Sequence, residues 1–145
     1  MNIETQNILG LDPGRDKCGV AVVNSQREVI CHQVIDAVKA IAIIQQLVQK
    51  YAINLIIMGD GTTSQAWQQQ IESNLSTVAV TTINETNSTL EARDRYWMMY
   101  PPTGLQRLIP QGLRTPPRPV DDIVAIILLE RYLRSSESSQ SMTRS

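Results

Sequence analysis

The stretch Ile8-Leu9-Gly10-Leu11-Asp12-Pro13-Gly14 decides how the chain is interpreted, because an apolar run leads directly into an acidic residue and a Pro-Gly corner. The apolar run predicts a strand over residues 6–12, and the Pro-Gly pair ends it. A second apolar run begins at Cys18 and predicts a strand over residues 18–24. Asp12 therefore lies at the end of the first strand, directly before the turn. A carboxylate in this position is either a turn residue or a functional group.

The rest of the chain predicts three further strands and four helices. A third strand completes an antiparallel meander, a continuous apolar run over residues 54–59 predicts a central parallel strand, and residues 78–83 predict a fifth strand. The predicted order is strands 6–12, 18–24 and 27–35, helix 36–50, strand 54–59, helix 64–75, strand 78–83, helix 88–100, loop 101–119 and helix 120–134. This layout predicts an α/β chain with the ribonuclease H-like fold, a five-stranded mixed sheet of three antiparallel strands and then parallel strands, flanked by helices.

Three of the helix starts carry residues that favour side-chain capping. We expect Asp36, Ser64 and Ser88 to cap the first three helices. Ser88 is followed three residues later by Glu91, which predicts a capping box.

Length, charge and cysteine use narrow the class of protein. The 145 residues suit one domain, which we assign to residues 1–134, with the Ser-rich residues 135–145 as a disordered tail. The chain has no membrane-length apolar run, and its first residues do not resemble a signal peptide, which predicts a cytoplasmic protein with no membrane partner. Cys18 and Cys31 are expected to be buried free thiols, and His32 receives no catalytic role.

Acidic residues follow strands that are predicted to lie side by side. Asp12, Asp60 and Glu85 stand at three strand ends, and the carboxyl ends of parallel strands open at one edge of a sheet. The first turn of the last helix can bring Asp121 and Asp122 to the same edge. Carboxylates in one cleft repel one another unless cations neutralise them, and hard oxygen ligands select Mg²⁺ or Mn²⁺. Two such ions can activate a water and stabilise the leaving oxygen of a phosphodiester.

Each of these acids is also typical of a turn or a helix cap when it is taken singly. The proline-rich loop, residues 101–119, adds positive charge to the candidate site because it contains arginines and no acidic residue. Its prolines predict that it holds no regular element. Beside an acidic cleft, such arginines suit contacts to phosphates, although a solvated surface is equally typical of them. The predicted nucleic-acid contacts are Arg15, Lys17, Arg93, Arg107, Arg114 and Arg118.

Three blocks of the sequence resemble one family. Leu9–Gly14 with Cys18–Val22 resembles the D-x-G-x-x-x-x-G-x-A-V opening of the YqgF family. Asn84–Arg93 looks like its D-E-x-x-S-T-x-E-A block, and Val120–Leu133 looks like its V-D-x-x-A-A-x-x-I-L-x-x-Y-L ending. The YqgF family comprises Holliday-junction-resolvase-like proteins and proposed pre-16S rRNA nucleases. The resemblance covers residues 8–134 in order.

On this resemblance Asp12, Glu85 and Asp121 take the positions of the family's three metal-binding acids, with Asp60 and Asp122 as further candidate ligands. The implied function is that of a two-metal-ion phosphodiesterase, an endonuclease that uses Mg²⁺ or Mn²⁺ on structured nucleic acid. Its substrate would be structured RNA, as in pre-16S rRNA 5′-end processing, or branched DNA, as in Holliday-junction resolution. Cutting a symmetric junction on two strands would call for a homodimer with two-fold symmetry.

Two positions depart from the family pattern. Gly59-Asp60-Gly61 stands where the family has G-L-P, and Asn84 stands in place of an aspartate. The extra carboxylate leads us to hypothesise that Asp60 supplements or partly replaces Glu85 as a ligand. The alternative function is a diverged, non-catalytic nucleic-acid-binding or assembly module of the same fold. An actin-like or sugar-kinase ATPase needs two such domains around a nucleotide, and this chain has room for one.

Overall fold

The structure is a computed structural model that describes residues 6–143, with side chains described through residue 136. Within these residues, five strands and four α-helices follow one another in the predicted order. The strands are β1 Ile8–Asp12, β2 Lys17–Val23, β3 Val29–Asp36, β4 Leu55–Gly59 and β5 Ala79–Ile83. The helices are α1 Ala40–Tyr51, α2 Ser64–Asn74, α3 Ser88–Met99 and α4 Asp121–Thr143. Of the predicted domain and tail, residues 1–5 and 144–145 lie outside the described residues.

The five strands form one mixed sheet in the order β3-β2-β1-β4-β5. β1 and β3 both pair antiparallel with β2, whereas β4 pairs parallel with β1 and with β5. This confirms the predicted sheet of three antiparallel strands followed by parallel strands. The carboxyl ends of β1, β4 and β5 therefore open at one edge of the sheet.

The two faces of the sheet are covered by different helices. On one face, Leu9 and Leu11 of β1 pack with Ile44 and Leu47 of α1, and α2 adds Ile71 to the same core. On the other face lies α4, whose residues 123–129 are all buried. A helix that is apolar on all sides needs cover on all sides, and α4 has it because the sheet lies on one side and α3 on the other. None of the helices in the described chain is both long and apolar enough to cross a membrane.

Two glycines let the backbone of α4 lie directly on the sheet. A Cβ atom on Gly10 would lie 2.6 Å from the carbonyl oxygen of Ala125, and one on Gly19 would lie 1.8 Å from that of Asp121. Gly19 is also the register partner of Asp12 across the β1–β2 pair. The missing side chain at position 19 therefore brings the first residue of α4 beside the end of β1.

The predicted side-chain caps are wrong. None of the three helix starts near Asp36, Ser64 and Ser88 has a side-chain capping hydrogen bond. Asp36 precedes a short 3₁₀ helix and pairs instead with Lys17. Ser64 and Ser88 are the first residues of α2 and α3, one position too far along to serve as caps.

Two further segments differ from the sequence-based expectation. α4 continues to Thr143, past its predicted end near Arg134 and into the segment predicted to be disordered. The chain has no Gly or Pro after Pro119, so no residue that breaks helices interrupts α4. The proline-rich loop contains two short 3₁₀ helices, Gly104–Leu108 and Gln111–Leu113, because such turns are short enough to fit between prolines.

Candidate active site

Asp12 and Asp121 are in direct contact at the edge of the sheet. Asp12 ends β1, Asp121 begins α4, and their side chains are hydrogen-bonded to each other. Burial, the charge and hydrogen bond of Asp121, and the charge of Glu85 raise the pKa of Asp12 from 3.8 to about 8. With a pKa of about 8, Asp12 holds a proton against Asp121 at neutral pH unless a cation takes the place of that proton. We call Asp12, Glu85 and Asp121 the acidic cluster.

The Glu85 carboxylate lies in a space that two glycines leave open. A Cβ atom on Gly59 would lie 2.3 Å from Glu85 Oε2, and one on Gly61 would lie 2.3 Å from Glu85 Oε1. Any larger residue at either position would push the carboxylate away. Gly59 is shared with the family's G-L-P sequence, and Gly61, in place of its proline, leaves the second part of the space that Glu85 occupies.

Arg131 of α4 fixes the turn that carries Glu85. Its Nη1 donates to the carbonyl oxygen of Asn84 at 2.8 Å, and its Nη2 donates to Glu91 Oε1 at 2.6 Å. Glu91, which we expected to form a capping box with Ser88, is therefore used to hold Arg131. A charge-assisted hydrogen bond of this kind is stronger than one to a neutral backbone group.

Of the two positions that depart from the family pattern, Asn84 lies on this turn and Asp60, directly after β4, contacts it. The side chain of Asp60 is exposed, and its Oδ1 accepts the backbone N–H of Glu85 at 3.3 Å. Asn84 Oδ1 accepts the N–H of Thr86 at 2.8 Å, a bond that an aspartate could also accept. Asp60 is thus placed beside Glu85, whereas the charges that act on Asp12 are those of Asp121 and Glu85.

Asp122, which we predicted as a further metal ligand, is bonded to two side chains outside the acidic cluster. It is only 2% exposed; its Oδ2 lies 2.6 Å from His32 Nδ1, and its Oδ1 accepts a hydrogen bond from Arg118 at 3.0 Å. Burial raises the pKa of Asp122, but the hydrogen bonds from Arg118 and His32 outweigh it and lower the pKa below its ordinary value. The physical reason is helix geometry, because adjacent helical residues point about 100° apart. We call Asp122, His32 and Arg118 the buried ion-pair cluster.

Three of the six predicted nucleic-acid contacts are bonded to other groups of the protein. Lys17 pairs with Asp36, Arg118 with Asp122, and Arg114 Nε donates to two carbonyl oxygens of the proline-rich loop. Arg118 also lies over the rings of Tyr96 and Tyr100, at 5.5 and 5.6 Å from their centroids. The other three predicted contacts are exposed and, in the part of the chain that the structure describes, make no hydrogen bond or ion pair. These are Arg15, Arg93 and Arg107.

The donor atoms of the acidic cluster suit a hard divalent cation. Mg²⁺ is usually held by one or two carboxylates, and water and substrate phosphates complete its coordination. Asp12 and Asp121 can supply those two carboxylates, and Glu85 acts on Asp12 through its charge. Among the described residues, no group of three or more His, Cys, Asp or Glu side chains is already arranged to hold a metal ion. The residues therefore fit an ion held by two carboxylates, not a preformed cage.

The sequence matches the model of a known protein family. The model of the family described as "Tex protein YqgF-like domain" matches residues 6–92, more than half of the chain. The match includes Asp12, Asp60 and Glu85 and ends before Asp121. No curated protein matches the sequence.

Solved structures share the fold at low sequence identity. RuvC from Thermus thermophilus in complex with a Holliday junction substrate aligns with a TM-score of 0.54 and 16% identity, over 90% of this chain and 96% of that chain. A second structure of Thermus thermophilus RuvC gives a TM-score of 0.53 and 14% identity, over 85% and 90%. A proposed sugar kinase from Cytophaga hutchinsonii gives only 0.44, over 60% and 38% at 10% identity, which is too low to support an argument. The two RuvC structures confirm the ribonuclease H-like fold and, at such identities, nothing beyond it.

Proposed function

The chain belongs to the Tex protein YqgF-like domain family, and from that premise we propose that it is a metal-dependent endonuclease acting on structured RNA or branched DNA. The observation that carries this proposal is the position of Asp12 against Asp121, where burial first, and then the charge and hydrogen bond of Asp121, raise the pKa of Asp12 to about 8. Strongly perturbed carboxyl groups are concentrated at functional sites. Likeness to RuvC, one structure of which holds a Holliday junction, supports branched DNA as one substrate class.

The acidic cluster suits phosphodiester cleavage because its carboxylates can hold cations beside the scissile bond. A bound Mg²⁺ or Mn²⁺ ion would stabilise the negative charge that develops on the phosphate. Asp12 and Asp121 would hold the ion, and Glu85, whose position Gly59 and Gly61 define, would complete the ligand set. Loss of the shared proton accompanies this binding.

The surrounding residues would position substrate and ligands. The exposed cations Arg15, Arg93 and Arg107 would contact phosphates, since they make no internal ion pair among the described residues. Asp60 would supplement Glu85, beside which its side chain lies. We propose Asp122 as a residue that fixes the start of α4, in place of its expected role as a ligand.

The experiment that tests this proposal is parallel cleavage of two labelled substrates, a four-way DNA junction and an rRNA precursor. Each is incubated with Mn²⁺ or with a chelator, using the unmodified chain, Asp12→Asn, and Glu72→Gln as a matched control. Glu72 is an exposed acid of α2. We expect Mn²⁺-dependent cleavage that Asp12→Asn abolishes and Glu72→Gln leaves unchanged. Cleavage that survives the chelator, or survives Asp12→Asn, would contradict the proposal.

A second candidate is a nucleic-acid-binding module without catalysis. It is favoured by one observation, that the described residues hold no ready-made group of three metal ligands. Tight binding of either substrate without cleavage in Mg²⁺ or Mn²⁺ would support it. Paired cuts on opposite strands of the junction would instead indicate a nuclease dimer with two-fold symmetry.

A further inference from the structure

We propose that a cleft between α3 and the proline-rich loop binds one unpaired nucleotide of the nucleic-acid substrate. The cleft has a volume of about 340 Å³, which lies within the range of small-ligand sites. Its walls include Leu90, Arg93 and Asp94 of α3 and Gln111, Leu113 and Arg114 of the loop. The proposal rests on the proposed function, because it names the feature of the substrate that this surface recognises. We call it the nucleotide cleft.

Two leucines give the nucleotide cleft apolar walls that are open to solvent. The side chain of Leu90 is 57% exposed and that of Leu113 is 76% exposed. Exposed apolar surface of this kind, next to polar groups, marks a site of interaction. The flat face of a base is an apolar partner of suitable size for two leucines. A fully paired duplex keeps that face stacked and presents its phosphates instead, so the leucines favour an unpaired base.

Arg114 gives the nucleotide cleft a fixed planar cation. Its Nε donates to the carbonyl oxygens of Gln106 at 3.0 Å and Ile109 at 2.8 Å, and its guanidinium lies 5.7 Å from the ring centroid of Trp97. Because these contacts within the protein already hold the side chain in place, little side-chain entropy is lost when a base stacks on the guanidinium. Unpaired bases in RNA are commonly stacked on arginine in this way.

Charge and hydrogen-bonding groups in the nucleotide cleft suit a nucleotide. Arg93 is exposed and makes no hydrogen bond or ion pair within the described residues, so it can contact the phosphate. Gln111 Nε2 donates to Asp94 Oδ1 over a long 3.4 Å, which leaves both side chains able to bond a base edge. The Asp94 carboxylate repels phosphate, so we expect the phosphate at Arg93 and the base edge at Asp94.

The nucleotide cleft is adjacent to the acidic cluster along the chain. α3 begins directly after the turn that carries Glu85, and the loop reaches α4 through Arg118, which is bonded to Asp122. A nucleotide held in the cleft would therefore orient its strand relative to Asp121. This would select structured substrates that contain an unpaired nucleotide near the cleavage point.

The test measures affinity by fluorescence anisotropy in the presence of a chelator, so that cleavage does not interfere. The probes are a fully paired duplex, the same duplex with one unpaired nucleotide, and a single strand, each made as DNA and as RNA. We expect the unmodified chain to prefer the unpaired-nucleotide duplex by roughly tenfold, the effect of one stacked base. The DNA and RNA series show which sugar is preferred.

Variants assign this preference to the nucleotide cleft. The double substitution Leu90→Ser with Leu113→Ser should lower the preference to about one, because stacking on apolar walls is lost. Arg93→Gln should weaken binding of the unpaired-nucleotide duplex several-fold. The matched controls are Val38→Ser, an exposed apolar residue before α1, and Arg134→Gln, an exposed arginine of α4. Both controls should keep the preference of the unmodified chain.

A 2-aminopurine placed at the unpaired position gives a second readout. Its fluorescence should change on binding to the unmodified chain and should not change with the double leucine variant. Equal affinity for the two duplexes, or a preference that survives the double substitution, would overturn the nucleotide cleft. Mn²⁺-dependent cleavage without a preference for the unpaired-nucleotide duplex would overturn the proposed nucleotide binding and support the proposed nuclease function. The preference without any cleavage would support nucleotide binding and contradict the nuclease function.

Discussion

The first two residues of α4 are neighbouring aspartates with opposite surroundings. Asp121 lies against Asp12, whose pKa is raised to about 8 by burial and by the neighbouring carboxyl groups of Asp121 and Glu85. Asp122 is buried between His32 and Arg118, which lower its pKa against the effect of burial. A carboxylate whose charge is matched within the protein holds the structure together, whereas a carboxyl pair that lacks a cation is ready to bind one.

The largest expected effect comes from breaking the acidic cluster at α4. Asp121→Asn should reduce kcat/KM for cleavage on the order of 1000-fold. The reason is that the carboxylates of the acidic cluster act together, so that loss of one removes the effect of the others. Folding should be retained, because asparagine has the size of aspartate and can still hydrogen-bond to Asp12. Labelled-substrate kinetics with Mn²⁺ and thermal unfolding measure the two effects. Full cleavage activity in Asp121→Asn would remove this residue from the proposed site.

Gly19→Ala tests whether close packing of α4 creates the acidic cluster. A Cβ atom there meets the backbone of Asp121 at 1.8 Å, so α4 must move. We expect a loss of about 3 kcal/mol in the free energy of unfolding, the upper range for an overpacked core, together with weaker Mn²⁺ binding. Gly112→Ala is the control, because a Cβ atom at position 112 meets nothing within 4 Å. Equal stability of the two variants in urea unfolding would show that the backbone of Asp121 does not lie close to position 19.

The buried ion-pair cluster should matter for stability and less for chemistry. Asp122→Asn should lower the free energy of unfolding by about 2 kcal/mol, because Arg118 and His32 lose a charged partner. Urea unfolding provides the measurement. His32→Gln, which keeps a hydrogen-bonding side chain, should cost less. Loss of cleavage in Asp122→Asn without loss of stability would mean that Asp122 acts in the reaction itself.

Periodicity and strand-end acids are enough to predict the sheet, the element order and the approach of Asp12 to Asp121. Contacts between distant segments are not predictable in this way. Arg131 lies in the apolar last helix and His32 in a strand, and nothing local shows that they bind Glu91 and Asp122. The predicted caps that involve Asp36 and Glu91 are wrong for the same reason, because these residues bind partners that are distant in the sequence. Asp36 pairs with Lys17, and Glu91 accepts a hydrogen bond from Arg131. The backbone approach at Gly19 depends on the packing of α4, which a local pattern does not contain.

The two clusters should have opposite effects on the pH dependence of stability. The folded-state pKa of Asp12, about 8, lies above its ordinary 3.8. Protonated Asp12 therefore favours the folded state, and this contribution is lost as the pH rises from about 4 to about 8. In chelator, Asp12→Asn should be more stable than the unmodified chain at pH 8 by several kcal/mol, because one pKa unit corresponds to about 1.4 kcal/mol, with no difference near pH 4.

Urea unfolding at a series of pH values in chelator provides this measurement. The Asp122 contribution has the opposite sign, since its pKa is lowered on folding. It is present above the ordinary pKa of an aspartate and is lost as the pH falls through the lowered value. A constant difference between Asp12→Asn and the unmodified chain at all pH values would show that the pKa of Asp12 is not raised.

The smallest expected effect is that of Asp60. Because its side chain contacts the backbone N–H of Glu85, Asp60→Asn should weaken Mn²⁺ binding about threefold, and Glu85→Gln should weaken it roughly tenfold or more. Titration of Mn²⁺ into each variant ranks the two residues. Unchanged affinity in Asp60→Asn would sink the hypothesis that Asp60 supplements Glu85.

The central claim is that the Asp12–Asp121 pair exchanges a shared proton for a divalent cation. Calorimetric titration of Mn²⁺ at pH 7, in buffers with different enthalpies of ionisation, measures the affinity and the protons released together. We predict saturable binding with release of about one proton per ion, and loss of both in Asp12→Asn. The absence of saturable binding, or equal affinity in Asp12→Asn and the unmodified chain, would contradict the account.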